Sequence, residues 1–461
     1  QTGQTGVWRM PGYSIRLDTS PTFTRGAPDN TEPGWRFVDP EFPLAADPQQ
    51  IWLGGSALTQ VGSIAEVKPG TFYVDEAEQA LYVGDDPGGK RPLSAGAITK
   101  ALLVTGPGAQ VEGIGVRRHV PSLPDFGAIT LDGPGAVLRD VLVTGSSTIG
   151  VSVQTHDVTL ERVTLRESGM LGLHAHRADD LRLLDVVATG NNTQRFNAAP
   201  ASAGAKITLS RGLYVRGGSY SGNRGNGLWL DESVVDSDVI GVDATDNLVH
   251  GIQVELCAGV DVLRAVAARN GDAGISVQNS DHVRIWNATT VANRRQVMFV
   301  QDGRRPSDPG ADTRLLTGSN GSPTWVIGSS ELVNSVLSNA TGQFGVDSGP
   351  GSGGAAAREQ VRSDADTLFA VEDYTKTLDA GSLDIRLRGN LYLPDPRGGR
   401  PWTHVWSRTG DNPAVFASLA AFTKATGQDT GSVQGASRPG LAAQFSWRGT
   451  VGAGRPVPPS P

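Results

Sequence analysis

The chain has 461 residues, with 60 glycines, one cysteine, 19% charged residues and a formal net charge of −7. Its basic residues form no block longer than short pairs such as Arg294–Arg295 and Arg304–Arg305, a balance that excludes a nucleic-acid partner. No run approaches the roughly 18 apolar residues of a membrane span, and Cys257 alone can form no internal disulfide.

Residues 1–100 show no period. They contain an expected strand pair, Thr71–Val74 and Ala80–Val83, with Trp8, Trp35 and Trp52 nearby. No signal peptide pattern stands at Gln1, so a mature or trimmed form is expected, and export follows only from function. From about Ala101 to residue 348 the chain reads as a solenoid. The motif glycine-apolar-X-apolar-X recurs as Gly150–Gln154, Gly172–His176, Gly204–Thr208, Gly227–Asp231, Gly251–Glu255 and Gly274–Gln278. The glycines are spaced by 22, 32, 23, 24 and 23 residues. A copy without glycine follows at Val297–Gln301. Four residues before most starts sits a small polar residue: Ser146, Ser168, Asn223, Asn247, Asn270 and Asn293. Asn191 keeps that period, so the long interval holds an insertion at Asn192–Ala203.

A period near 23 with two-residue alternation suits three short strands per coil, stacked in parallel about 4.8 Å apart. A leucine-rich repeat of this length would need a leucine framework, which is missing. The fold expected is an all-β, right-handed parallel β-helix. Asparagine at a fixed turn position is expected to tolerate the left-handed region and to bond its copy in the next coil. Further on, a loop from Gln301 to Pro323 interrupts the stack, and another coil is expected at Trp325–Asn339. Residues 349–461 read as a Gly349–Gly354 break, a strand over Leu383–Leu393, a helix Leu419–Thr426 capped by Ser418 and Gly427, and an irregular tail from Arg438. This segment is expected to close the end of the stack.

If Leu228 and Leu230 face inward, the residues between them face outward. One outward row then reads Ser152, His174, Lys206, Trp229, Gln253, Ser276, Phe299. Its neighbour reads Gln154, His176, Thr208, Asp231, Glu255, Gln278, Gln301, with Asp132 before Gln154. Asp231 and Glu255 occupy one position in adjacent coils, so their Cβ atoms are expected about 5 Å apart. Two carboxylates that close raise one pKa. Lys206 favours ionised Asp231, leaving Glu255 as the expected acid. Such a pair is the minimum set for glycoside hydrolysis. Trp229 is either a sugar-stacking platform or a packing residue under the insertion. His174 and His176 are either structural or proton-transfer groups, and Gln253, Gln154, Gln278 and Arg195 are candidate substrate contacts. Lys206 is the third catalytic candidate, or a neutraliser. No cofactor is required. Zinc lacks its Cys/His spacing, and Ca²⁺ is the one ion the carboxylates could take.

The run from Gly204 through Lys206, Asn223, Trp229, Asp231, Asn247 and Glu255 resembles secreted bacterial right-handed β-helix proteins of the pectate-lyase-like superfamily. The leading Gly70–Asp75 and Leu81–Gly84 segments and the late Gly389–Tyr392 and Ser418–Gly427 segments resemble the two ends of such proteins. The resemblance implies a carbohydrate-active enzyme, secreted, acting on a polysaccharide or oligosaccharide. It does not choose the reaction. A glycoside hydrolase using Asp231 and Glu255 is the first expectation. A polysaccharide lyase with Lys206 or His174/His176 as base is the second, and a glycan-binding module the third. A lyase must neutralise a polyanion, and the outward rows offer one lysine against Asp132, Asp231 and Glu255. Oligomeric state leaves no mark in the sequence.

Overall fold

The computed structural model describes residues 6–88, 91–308, 312, 323–338, 367–394, 402–407 and 414–436. The Gly349–Gly354 break and the tail from Arg438 lie outside the described residues.

Among the described residues, three long sheets of 12, 11 and 10 strands run along the molecule, and pairing within them is almost wholly parallel. Each coil gives one strand to each sheet, as in Asn226–Asp231, Val235–Ile240 and Asp243–Thr245. The fold is a right-handed parallel β-helix. The 12-stranded sheet carries the glycine motifs and starts at Leu102–Val104, near the expected Ala101.

Inward residues stack on their copies. Leu228 pairs with Ile252, which pairs with Ile275, and Leu230, Val254 and Val277 follow in the same way. All six are fully buried. Each such side chain contributes roughly 1.5–3 kcal/mol of apolar burial.

A second stack is polar. Asn191, Asn223, Asn247, Asn270 and Asn293 form a buried ladder, each Nδ2 donating to the Oδ1 of the next at 2.9–3.0 Å. Asn293 Nδ2 donates to Gln296 Oε1 at 2.9 Å and ends the run. Each Oδ1 also accepts the backbone N–H of the preceding copy, as Asn247 does from Asn223 at 3.1 Å. The bond between copies is the expected one, but the left-handed residue is not. That conformation belongs to the residue before each asparagine: Gly222, Asp246, Arg269 and Ala292 have φ between 56° and 67°. The asparagine itself must keep ordinary backbone so that its amide points along the stack.

The ladder also explains the glycines. A Cβ on Gly227 would lie 2.5 Å from Gly251 O and 2.7 Å from Asn247 Nδ2. A Cβ on Gly251 would lie 2.6 Å from Asn270 Nδ2. Space, not φ, demands glycine here.

At the N-terminal end Thr71–Asp75 pairs antiparallel with Ala80–Val83 as expected, and Trp8–Pro11 adds a strand. Parallel pairing also runs on beyond residue 348. Thr367–Asp373 pairs with Arg295–Gln301, and Trp402–Trp406 with Thr367–Asp373. The stretch Leu383–Leu393 is two strands, not one. Ile385–Arg388 and Leu391–Leu393 join different sheets across Gly389, whose φ is +65°. The helix Leu419–Thr426 forms with Ser418 Oγ accepting from Ala421 N and Gly427 at φ 71°. Its Phe422 stacks on the buried His404 ring at 4.0 Å, closing the interior.

Replacing Asn247 by alanine removes the acceptor for Asn223 and the donor for Tyr220 O and Asn270 Oδ1. Leaving buried groups unpaired is expected to cost about 3 kcal/mol. The unfolding free energy should fall by that amount, read as a lower denaturant midpoint at an unchanged slope. A loss well under about 1 kcal/mol would show the ladder to be incidental.

Candidate active site

The parallel registers align Ser152, His174, Lys206, Trp229, Gln253 and Ser276 in one outward row. The next member is Met298, not Phe299. In the neighbouring row His176, Thr208 and Asp231 align, Glu255 aligns with Gln278, and Gln278 meets Val300, not Gln301. The expected assignment slipped by one residue because the last copy lacks its glycine. Ile275 pairs with Val297, so Gln296 takes the glycine's place. Phe299 therefore points into the core, and Gln301 is buried between Trp325 O and Ile327 N.

The outer face of these coils is roofed. Phe23, Phe37, Val38 and Phe42 from the N-terminal segment pack in one cluster with Phe196 and Ala201 of the insertion and with Trp229. Trp229 is only 3% exposed, so it is the packing residue and not a platform for sugar. His174 is stacked under Phe23, with ring centroids 4.6 Å apart. Its Nδ1 lies 3.0 Å from Ser152 Oγ and 3.3 Å from Gln154 Nε2. Burial, with the His176 and Lys206 charges, pushes its pKa down to about 3. His176 Nδ1 lies 2.9 Å from Thr208 Oγ1. Arg195 sits over the Phe42 ring at 4.9 Å, in the roof and not on the carboxylates. Trp35, expected near the strand pair, instead stands beside Arg304 over the carboxylate coils.

Under the edge of this roof lies a charged cluster. Lys206 Nζ is 3.0 Å from Asp231 Oδ2, donates to Pro200 O at 2.8 Å, and sits 3.7 Å from the Trp229 ring centroid. Glu255 Oε1 accepts from Arg304 Nη2 at 2.6 Å. Its Oε2 accepts from Gln253 Nε2 at 2.7 Å and Trp229 Nε1 at 3.0 Å. Burial pushes the Glu255 carboxyl up, and the Arg304 guanidinium opposes it. Every one of these partners is a donor, which favours the carboxylate form, while burial shifts the carboxyl in the direction expected of an acid at this position. Arg304 also holds Asp302 at 2.8 Å, and Asp302 accepts from Gln278 Nε2 at 2.9 Å.

Three members of the cluster escaped sequence reasoning, Asp302 among them from the same interrupting loop as Arg304. Arg304 was legible only as half of a basic pair in an interrupting loop. Glu232 follows Asp231 directly, where the strand ends and the chain turns. Its φ is +50°, and its N–H donates to Asp231 Oδ1 at 2.8 Å. Among the described residues its carboxyl has no hydrogen-bond or ion-pair partner. Burial and the Asp231 charge push its pKa up to about 7, against the pull of Lys206. It is more exposed than Asp231 or Glu255, each 5% exposed. Among the described residues, no group of three or more His, Cys, Asp or Glu side chains is placed to hold a metal ion.

Residues 127–293 match the family described as "Right handed beta helix region". No curated protein matches the chain by sequence. Among solved structures the chain is similar to XylC in its complex with xylose, at 11% identity and a TM-score of 0.50, covering 85% of this chain and 71% of that one. It is similar to the A-module of mannuronan C-5 epimerase AlgE4 from Azotobacter vinelandii, at 14% identity and a TM-score of 0.40, over 64% and 75% of the two chains. For pectate lyase Pel9A the values are 16% and 0.35, over 54% and 72%. At these identities the likeness is one of fold.

The buried histidines predict an acid-sensitive fold. His174 is held down to about 3 and His250, by burial first, to about 4, against about 6.5 in an unfolded chain. Both stay neutral when folded, so the unfolded state takes up protons that the folded state refuses. Their contribution is complete above pH 6.5 and is lost as pH falls from there toward about 4, at up to about 1.4 kcal/mol per pH unit for each. The thermal midpoint should fall over that window, and His174→Gln should flatten the fall by one proton's share.

Proposed function

We propose that this chain is a secreted glycoside hydrolase acting on a polysaccharide or oligosaccharide at the Asp231–Glu232–Glu255 cluster. One observation carries the reading: Asp231, Glu255 and Asp302 share the two cations Lys206 and Arg304, and the neighbouring Glu232 pairs with neither, its carboxyl pushed up to about 7 by burial and Asp231. Environments that push carboxyls apart define acid and base roles. Glu232 donates its proton to the glycosidic oxygen as the carbon–oxygen bond breaks. Asp231, paired with Lys206, serves as the carboxylate on the sugar side, and water supplies the incoming hydroxyl while its remaining proton returns Glu232 to the acid form. Glu255, clasped by Arg304, Gln253 and Trp229, stabilises the positive charge that develops on the sugar. Gln253 and Gln278 act as positioning residues, through Glu255 and Asp302.

The lyase reading has less support. The bases expected for it are Lys206, His174 and His176, and His176 Nδ1 lies 2.9 Å from Thr208 Oγ1. Lys206 is engaged by Asp231 and Pro200 O, and His174 is buried beneath Phe23. Both cations of the cluster are already paired, which leaves none for a uronate carboxylate.

Glu232→Gln and Asp231→Asn should each lower kcat by about 10²–10⁴-fold in a reducing-end assay, with the thermal midpoint retained. The wild-type rate should fall as pH rises through about 7, because the proton on Glu232 is then lost. That limb should vanish from the residual rate of Glu232→Gln. Full activity in Glu232→Gln would remove it as the acid and return that role to Glu255. Products absorbing in the ultraviolet through a new carbon–carbon double bond would establish a lyase.

A further inference from the structure

One large aromatic at this site is not used by its packing. Trp35 is 47% exposed, whereas Trp229 beneath the roof is 3% exposed. Trp35 ends a single 3₁₀ turn, Pro33–Trp35, in the N-terminal segment. The ring stands over the Arg304 guanidinium at 5.7 Å, and the same guanidinium bonds Glu255 at 2.6 Å and Asp302 at 2.8 Å. The exposed indole is therefore one side chain away from the carboxylates.

The segment bearing it is pinned. Asp29 accepts the N–H groups of Phe37 and Val38, both at 2.9 Å. Arg36 donates back to Asn30 O and Thr31 O at 3.0 and 3.2 Å. Asn197 of the insertion donates its N–H to Phe37 O at 2.8 Å. An exposed aromatic on a clasped turn, beside a charged cluster, has the form of a preorganised platform. A flat apolar ring complements the C–H face of a pyranose.

The charge balance narrows the sugar. Asp231, Glu232, Glu255 and Asp302 face Lys206 and Arg304, and both cations are paired. An anionic sugar would meet more carboxylate than cation.

We propose that Trp35, backed by Arg304, is the stacking platform of this site and takes a neutral pyranose unit beside the bond that is cut. The proposal rests on the glycan-cleaving reading of the same cluster. Its test separates the two. Asp231→Asn, with Glu232→Gln as a second inactive background, is titrated separately with cellotetraose, xylotetraose and mannotetraose. Binding is read by calorimetry and tryptophan fluorescence. At least one sugar should bind saturably. Adding Trp35→Ala should weaken it by about tenfold or more with the thermal midpoint unchanged, and Trp35→Phe should restore most of it. Equal affinity in the Trp35→Ala variant overturns the platform, as does binding of none of the three sugars. Binding that depends on Trp35, in a wild-type protein that releases no reducing ends from them, keeps the platform and overturns hydrolysis. Release of reducing ends with the same KM in Trp35→Ala overturns the platform and leaves hydrolysis standing.

Discussion

The structure depends on the spacing between coils, and the asparagine ladder fixes it. A side-chain amide has one end that donates and one that accepts, so a column of amides can bond only at one rise and in one direction. Asn191 to Asn293 satisfy this at 2.9–3.0 Å over four steps, with the backbone tied in at each. Apolar stacking alone is non-directional and would tolerate a slip. The glycines belong to the same constraint, because each clears the space that an amide and the next coil's carbonyl fill. Where the ladder ends at Gln296, the glycine is missing as well, and the sequence motif loses its register.

Fixed spacing has an electrostatic consequence. Parallel strands set equivalent side chains about 4.8 Å apart, which is costly for two carboxylates. The fold answers from two directions. Lys206, one coil earlier in the adjacent row, meets Asp231, and Arg304, from a loop more than two coils later, meets Glu255. Removing either cation would leave a buried anion uncompensated. Glu232 lies next to both carboxylates and receives neither cation as a partner. Its proton is the remaining way to lower the charge.

What was legible in the sequence follows from periodicity. Equal spacing exposed the coils, the insertion after Asn191 and the two outward rows, and the rows brought Lys206, Trp229, Asp231, Gln253 and Glu255 together. Everything aperiodic was hidden. Phe23, Phe37 and Phe42 reach the sheet from a segment with no repeat, so nothing in the rows marked Trp229 as roofed. Arg304 arrives by a loop, and Trp35 by a turn some 270 residues away from it in the chain. Glu232 was adjacent to a named residue, yet the alternation gave it no row. Its left-handed backbone takes it out of the sheet, a conformation no periodic pattern can express.

The division of labour between sheet and loops bears on how such a site works. Groups that must hold charge in one geometry stand on the rigid sheet, where neighbouring coils and buried partners fix them. On the proposed reading the group that gives up a proton, Glu232, stands at the strand end, where the left-handed turn takes it out of the row. Its place one residue past the last paired position leaves it without either cation as an ion-pair partner, while burial beside Asp231 pushes its carboxyl up. A β-helix offers that place at every coil, and here the left-handed turn occupies it with a glutamate.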